Sequence, residues 1–156
     1  FDETIRLLDN SGFRSVLDKA VIDDRTPILG VCVGMQIMAS SSEEGSLQGL
    51  NWVPGKVKKF LKHEIDSQVK LPHMGWNSIN CCLPCEIFSD IDEKKGFYFL
   101  HSYYFDCESE NHVLATAAYG RKFACAINRS NVFGFQFHPE KSHSNGIQLF
   151  TNFARL

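Results

Sequence analysis

Residues 28–40 read ILGVCVGMQIMAS. An apolar run bounded by Pro27 leads into Gly30-Val31-Cys32-Val33-Gly34, and a segment with helical spacing follows. The run suits a short strand buried on both faces, and residues 35–39 suit a helix, so Cys32 stands at a strand-turn-helix seam. In G-x-C-x-G the residue between the glycines passes through a sharp, strained turn. The glycines remove the side chains that would collide with strand and helix, which leaves the middle side chain exposed. A thiol there sits at the positive end of a helix, which favours thiolate and lowers an ordinary pKa of about 8.5. The N–H of Val33 is directed at an oxyanion forming on an attacked carbonyl. The same residues also suit a tight packing turn with an incidental cysteine, and the motif alone does not separate the two readings.

A nucleophilic cysteine needs a base, and the base needs an orienting group. Residues 133–142, FGFQFHPEKS, contain both types. His138 and Glu140 lie two apart, so in an extended segment they point to one side, with Pro139 fixing the backbone between them. A carboxylate on one ring nitrogen sets the imidazole tautomer and leaves the other nitrogen to face the thiol. The pair follows an apolar strand, at the end of a sheet where sites of α/β proteins collect.

The rest of the chain divides coarsely. Residues 2–8 and 13–22 carry helical spacing, with Phe13, Val16, Leu17, Ala20 and Val21 as one core-facing stripe. Strand texture occupies 56–60, 69–71, 78–82, 97–105, 113–119, 123–127 and 132–137. Residues 147–156 return to helix, with Leu149, Phe150 and Phe153 as core positions. An α/β layer fold follows, parallel around the cysteine turn and antiparallel later. Only the 28–31 run represents the early parallel strands, so the opening βα units are expected to be missing.

At 156 residues and 44% hydrophobic, the chain is long and apolar enough for one domain with a true core. A net charge of -2 leaves no basic stripe for a phosphate backbone, so nucleic acid is set aside. No apolar run reaches a membrane span and no leader is visible, so a soluble cytoplasmic protein is expected, with no membrane partner. The six cysteines, Cys32, Cys81, Cys82, Cys85, Cys107 and Cys125, are expected to be reduced. Cys82 and Cys85 form one C-x-x-C without a second pair at zinc spacing, so no metal and no cofactor is expected. His63, His112 and His143 belong to no constellation, and His73 and His101 receive no catalytic role.

With both stretches in view, the sequence resembles the class I glutamine amidotransferases, whose triad is Cys, His and Glu in that chain order. PHMGWN (72–77), YFLHSYY (98–104) and a final NF narrow the likeness to the glutaminase subunit of imidazole glycerol phosphate synthase, of histidine biosynthesis. The resemblance spans the chain and implies a flavodoxin-like three-layer α/β fold with a mixed sheet, over one domain, residues 1–156, partial at its N-terminus. It implies that Cys32 attacks the side-chain amide of glutamine, that His138 moves protons and that Glu140 orients His138. Gln36, Glu44, Tyr98, Ser102 and Tyr103, with Val33, match positions that hold the substrate. Trp76, Asn77 and Lys141 match positions facing a TIM-barrel cyclase subunit, to which ammonia is passed. The Gly-rich oxyanion loop that the family carries ahead of Phe1 is not in the sequence. Two alternatives stay open: a paralogous glutaminase feeding surface-sugar amination or anthranilate synthesis, and a catalytically impaired partner-binding fragment. A cysteine hydrolase on the same elbow is a third, which the enclosed, aromatic character of 98–104 disfavours.

Overall fold

The computed structural model describes residues 1–61 and 70–156. In chain order the elements are α1 (Asp2–Asn10), α2 (Arg14–Asp18), β1 (Ile28–Val31), α3 (Val33–Gln36), β2 (Ser41–Ser42), β3 (Gly55–Lys59), β4 (His73–Asn77), β5 (Asn80–Cys81), β6 (Phe97–His101), β7 (Tyr103–Cys107), β8 (Val113–Tyr119), β9 (Arg121–Arg129), β10 (Val132–Phe135) and α4 (His143–Phe153). The main sheet runs β1-β10-β9-β7-β3-β2, with β8 also on β9 and β5 on β8, while β4 and β6 form a separate antiparallel ribbon. β1 and β10 are parallel, and β10 and β9 antiparallel, so the sheet is mixed.

Alternation along the central strands feeds two cores, one on each face. On β10, Val132 joins Phe1, Ile5, Val21, Met35 and Met38, whereas Phe133 and Phe135 join Phe97, Phe99, Phe137 and Leu149. Helices α1 to α3 therefore cover one face, and α4 with the β4–β6 ribbon the other, which makes three layers. Each fully buried phenylalanine, such as Phe97, Phe99, Phe135 and Phe137, contributes on the order of 2–3 kcal/mol of burial.

Gly30 and Gly134 face each other in the β1–β10 register. A Cβ on Gly30 would lie 2.5 Å from the Gly34 carbonyl oxygen and 2.7 Å from Met38 Cε, and one on Gly134 would lie 2.7 Å from Met35 Cγ. These bare positions let α3 press directly on the sheet. Gly34 has open space around its missing Cβ, so it does not serve the clearance that the motif suggests.

Several expectations shift. The stripe over 13–22 breaks because α2 is short and passes into a wider helical turn at Lys19–Asp23. The extra residue per turn carries Val21 into the core and leaves Phe13 and Val16 more than 60% exposed. Phe150 is also exposed, since α4 turns Leu149 inward instead. The elbow helix occupies Val33–Gln36 rather than 35–39. Residues 73–77, outside the expected strands, form β4, and the strand expected at 78–82 shrinks to β5. The 97–105 segment divides at Ser102 into β6 and β7, which belong to different sheets. The 56–59 lysines lie on β3 between β7 and β2, with Lys58 paired to Asp106 at 2.6 Å. Of the strand expected at 69–71, Val69 lies outside the described residues, as does His63, and Leu71 is in a bend.

Candidate active site

Cys32 follows the last residue of β1, and its N–H donates to the Phe135 carbonyl, at 2.7 Å, on the neighbouring parallel strand. Its backbone sits at φ 52, ψ -110, a region that costs a non-glycine residue about 1–3 kcal/mol and is held only when its surroundings enforce it. The Gly30 contact with α3 and the Phe135 hydrogen bond supply that enforcement. The sulfur donates to the Leu100 carbonyl at 3.7 Å and accepts from Gln136 Nε2 at 3.7 Å.

The thiol does not have the lowered pKa expected of a helix N-terminus. Burial pushes it above its ordinary value; the Val33 N–H pulls it back, Glu140 and Glu44 add to the rise, and Lys141 opposes them. With α3 only four residues long, the aligned dipole is too short to overcome desolvation.

Three residues beyond β10, His138 reaches the same end of the sheet. Its N–H donates to the Tyr98 carbonyl at 2.8 Å, fastening it to β6. His138 Nδ1 lies 2.7 Å from Glu140 Oε1, with the histidine side chain 16% exposed and the carboxylate 48%. The pairing forms in a tight turn, Pro139–Lys141, rather than in the extended segment that the spacing suggests. A carboxylate at Nδ1 places the ring proton there and leaves Nε2 as the proton acceptor. Among the described residues, Nε2 has no hydrogen-bond partner although it is buried. An imidazole oriented on one side and vacant on the other is arranged to take a proton.

Gln36 is 5% exposed, and its amide is engaged: Nε2 donates to the Tyr103 carbonyl at 3.2 Å and to Gln136 Oε1 at 3.0 Å. Val33 is partly exposed beside Cys32. Glu44 is exposed, with Oε2 3.0 Å from the Phe1 amino group. Tyr98 and Tyr103 enter the network through their backbones, while their rings lie under Lys141 and Lys59, each at 5.9 Å. Half-buried Ser102 accepts the Phe60 N–H through its carbonyl at 3.2 Å. Trp76, 43% exposed, stacks on His143 at 5.5 Å with parallel rings. Asn77 is turned inward, its Nδ2 donating to the Ala118 carbonyl at 2.8 Å.

Sequence reasoning passed over Gln136 and Ser142. Gln136 is fully buried between Gln36 and Cys32. Ser142, also fully buried, donates to the His138 carbonyl at 2.6 Å and accepts from the Tyr98 N–H at 3.0 Å. Both stand inside FGFQFHPEKS; for Gln136 a polar residue amid the apolar 133–137 run was the available signal, and Ser142, after four polar or turn residues, carried none.

All six cysteines are free, Cys82 exposed and Cys125 buried, and no group of three or more metal-ligating side chains occurs among the described residues. Among those residues no helix is long and apolar enough to cross a membrane.

The profile of the family described as glutamine amidotransferase class-I matches residues 9–155. The imidazole glycerol phosphate synthase subunit HisH of Leptospira interrogans is 51% identical over 156 residues, all of this chain and 76% of that protein. The subunit of the same name from Bdellovibrio bacteriovorus is 44% identical with the same coverage. A solved glutamine amidotransferase superposes with a TM-score of 0.66 at 14% identity, over 96% of this chain and 70% of that one. Another, from Thermotoga maritima, gives 0.61 at 16% identity, over 99% and 59%. The solved structures agree in fold, the profile and the relatives in sequence: the chain belongs to the class-I glutamine amidotransferase family.

Proposed function

We propose that residues 1–156 form one amidotransferase domain that hydrolyses glutamine to glutamate and ammonia, as the glutaminase subunit of imidazole glycerol phosphate synthase in histidine biosynthesis. The observation that carries this reading is the Glu140–His138 pair, with Nε2 vacant, beside a cysteine held at positive φ on the adjoining strand. Relatives of 44–51% identity bear that synthase subunit's name.

In this reading His138 Nε2 takes the Cys32 proton, and the sulfur attacks the side-chain carbonyl carbon of glutamine. The Val33 N–H stabilises the oxyanion. Collapse of the tetrahedral intermediate breaks the C–N bond, and His138 returns the proton to the departing ammonia. Water, deprotonated by the same imidazole, then cleaves the thioester to glutamate and free thiol. Glu140 keeps the imidazole in its reactive tautomer throughout. Gln36, Glu44, Ser102 and Tyr103 surround the amino-acid end of glutamine. Exposed Met74 and Trp76 on the β4–β6 ribbon, with Lys141 in the His138 turn, receive a cyclase subunit that uses the ammonia, while Asn77, on the inward side of β4, backs that surface. The protein is cytoplasmic.

Glutamate release by the chain, with and without a histidine-pathway cyclase subunit and its nucleotide ligand, tests the reading. Partner-dependent release, abolished by Cys32→Ala in a folded variant, is expected. Release that persists in Cys32→Ala refutes the triad, and release indifferent to the cyclase refutes the partner.

A further inference from the structure

Two buried histidines stand behind the site without a part in the reaction above. His73 and His101 are 2% and 6% exposed, with His73 Nδ1 2.9 Å from His101 Nε2. His101 Nδ1 lies 2.8 Å from the Tyr103 carbonyl oxygen, and His73 Nε2 lies 3.3 Å from Asn77 Nδ2. The direction of every bond follows from the two ends. A carbonyl only accepts, so His101 carries its proton on Nδ1, and its Nε2 accepts from His73 Nδ1. At the far end, the Ala118 carbonyl fixes the Asn77 amide with its Nδ2 inward, ready to donate to His73 Nε2. The two ends demand the same polarity, so all four ring nitrogens are satisfied when both rings are neutral. Burial keeps them so: it lowers His73 to about 4 and His101 to about 3, with the neighbouring imidazoles His73 and His138 adding to the latter and the Tyr103 carbonyl opposing.

The array does not stop at Tyr103. The carbonyl that accepts from His101 also accepts from Gln36 Nε2, Gln36 donates to Gln136 Oε1, and Gln136 Nε2 donates to the Cys32 sulfur. An amide donor on sulfur favours thiolate over thiol; it acts in the same sense as the Val33 N–H and Lys141, against the burial and the Glu140 and Glu44 carboxylates that oppose ionisation.

We propose that Gln136 is a positioning residue that holds the Cys32 sulfur and stabilises its thiolate, and that Asn77, His73 and His101 fix Gln136 in that role through the Tyr103 carbonyl and Gln36. The inference rests on the assignment of Cys32 as nucleophile but not on turnover, so its test uses neither glutamine nor partner.

The rate of Cys32 alkylation by iodoacetamide is followed against pH by mass spectrometry of the Cys32 peptide. Gln136→Met keeps the volume and removes the donor. Its alkylation profile is expected to move up by about one pH unit, so that the rate near neutrality falls about tenfold. His101→Phe is expected to shift it in the same direction, and His101→Asn, which retains a donor for Tyr103, to restore most of the rate. An unchanged profile in a folded Gln136→Met variant overturns the proposal. Should the variants fail to fold, the unaltered protein decides by nitrogen-15 NMR. His73 and His101 are expected as neutral Nδ1–H tautomers from pH 6 to 8, and the Gln136 side-chain amide protons are expected to shift as Cys32 titrates. A Nε2–H tautomer on either ring, or Gln136 protons indifferent to that titration, overturns it as well. Glutaminase activity that fails while these signatures hold sinks the enzymatic reading instead.

Discussion

Alanine at Gly30 and alanine at Gly34 are equivalent changes in the motif and opposite ones in the fold. At Gly30 the added methyl meets the Gly34 carbonyl oxygen at 2.5 Å and its carbon at 2.6 Å, backbone atoms that move only if α3 lifts from the sheet. Such overpacking costs about 1–3 kcal/mol. At Gly34 the methyl enters open space inside a helix, where alanine is favoured over glycine by about 0.8–1.0 kcal/mol. The two variants should therefore differ by about 2–4 kcal/mol. With a urea dependence of about 2 kcal/mol per molar, their unfolding midpoints should lie about 1–2 M apart, Gly34→Ala the higher. Fluorescence of Trp52, 4% exposed, reports the transition. Equal midpoints, or a lower one for Gly34→Ala, refute the claim that Gly30, and not Gly34, is the glycine of the motif that provides the clearance.

Ser142→Ala removes the acceptor of the Tyr98 N–H and one of two donors to the His138 carbonyl, so a loss of about 1–3 kcal/mol is expected in thermal unfolding, and no change in melting would contradict the buried contact. His73 and His101 stay neutral in the fold down to about pH 4 and 3, whereas an unfolded imidazole binds its proton near 6.5. The unfolded chain therefore holds more protons between those values. Stability should be full above about pH 6.5 and fall on acidification through that window, by up to about 1.4 kcal/mol per pH unit for each histidine. Urea titrations at stepped pH check this, and a slope as steep in His73→Gln as in the parent would contradict it. Burial pushes Cys107 up to about 12 and Cys125 well above its ordinary value. In a thiol titration at pH 8, exposed Cys82 should react first and Cys125 only on unfolding; prompt Cys125 reaction would contradict the packing.

The elbow, the β1 run and the His138–Glu140 pair were legible because each depends on neighbours in sequence: glycine spacing, apolar continuity and a proline between two polar groups. What escaped depends on contacts between distant segments. Tyr98 and Tyr103 suggest side-chain roles by their chemistry, yet their carbonyls face His138 and Gln36, and nothing in a residue's identity reveals its backbone's use. The Cys32 thiol illustrates competition: the helix end is visible locally, but the burial that outweighs it comes from residues far along the chain. Phe13 and Val16 were misplaced because a widened turn, which carries no sequence mark, rotates the face after α2.

The facing glycines of β1 and β10 have a metric consequence. Cys32 and His138 hang from neighbouring strands whose pairing, Gly30 opposite Gly134, is locked by side-chain shape on both sides. A slip of one residue would displace one strand end from the other by about 3.3 Å and turn every side chain to the opposite face. The sheet thus works as a ruler between the sulfur and the imidazole, graduated in whole residues and unable to read any value in between.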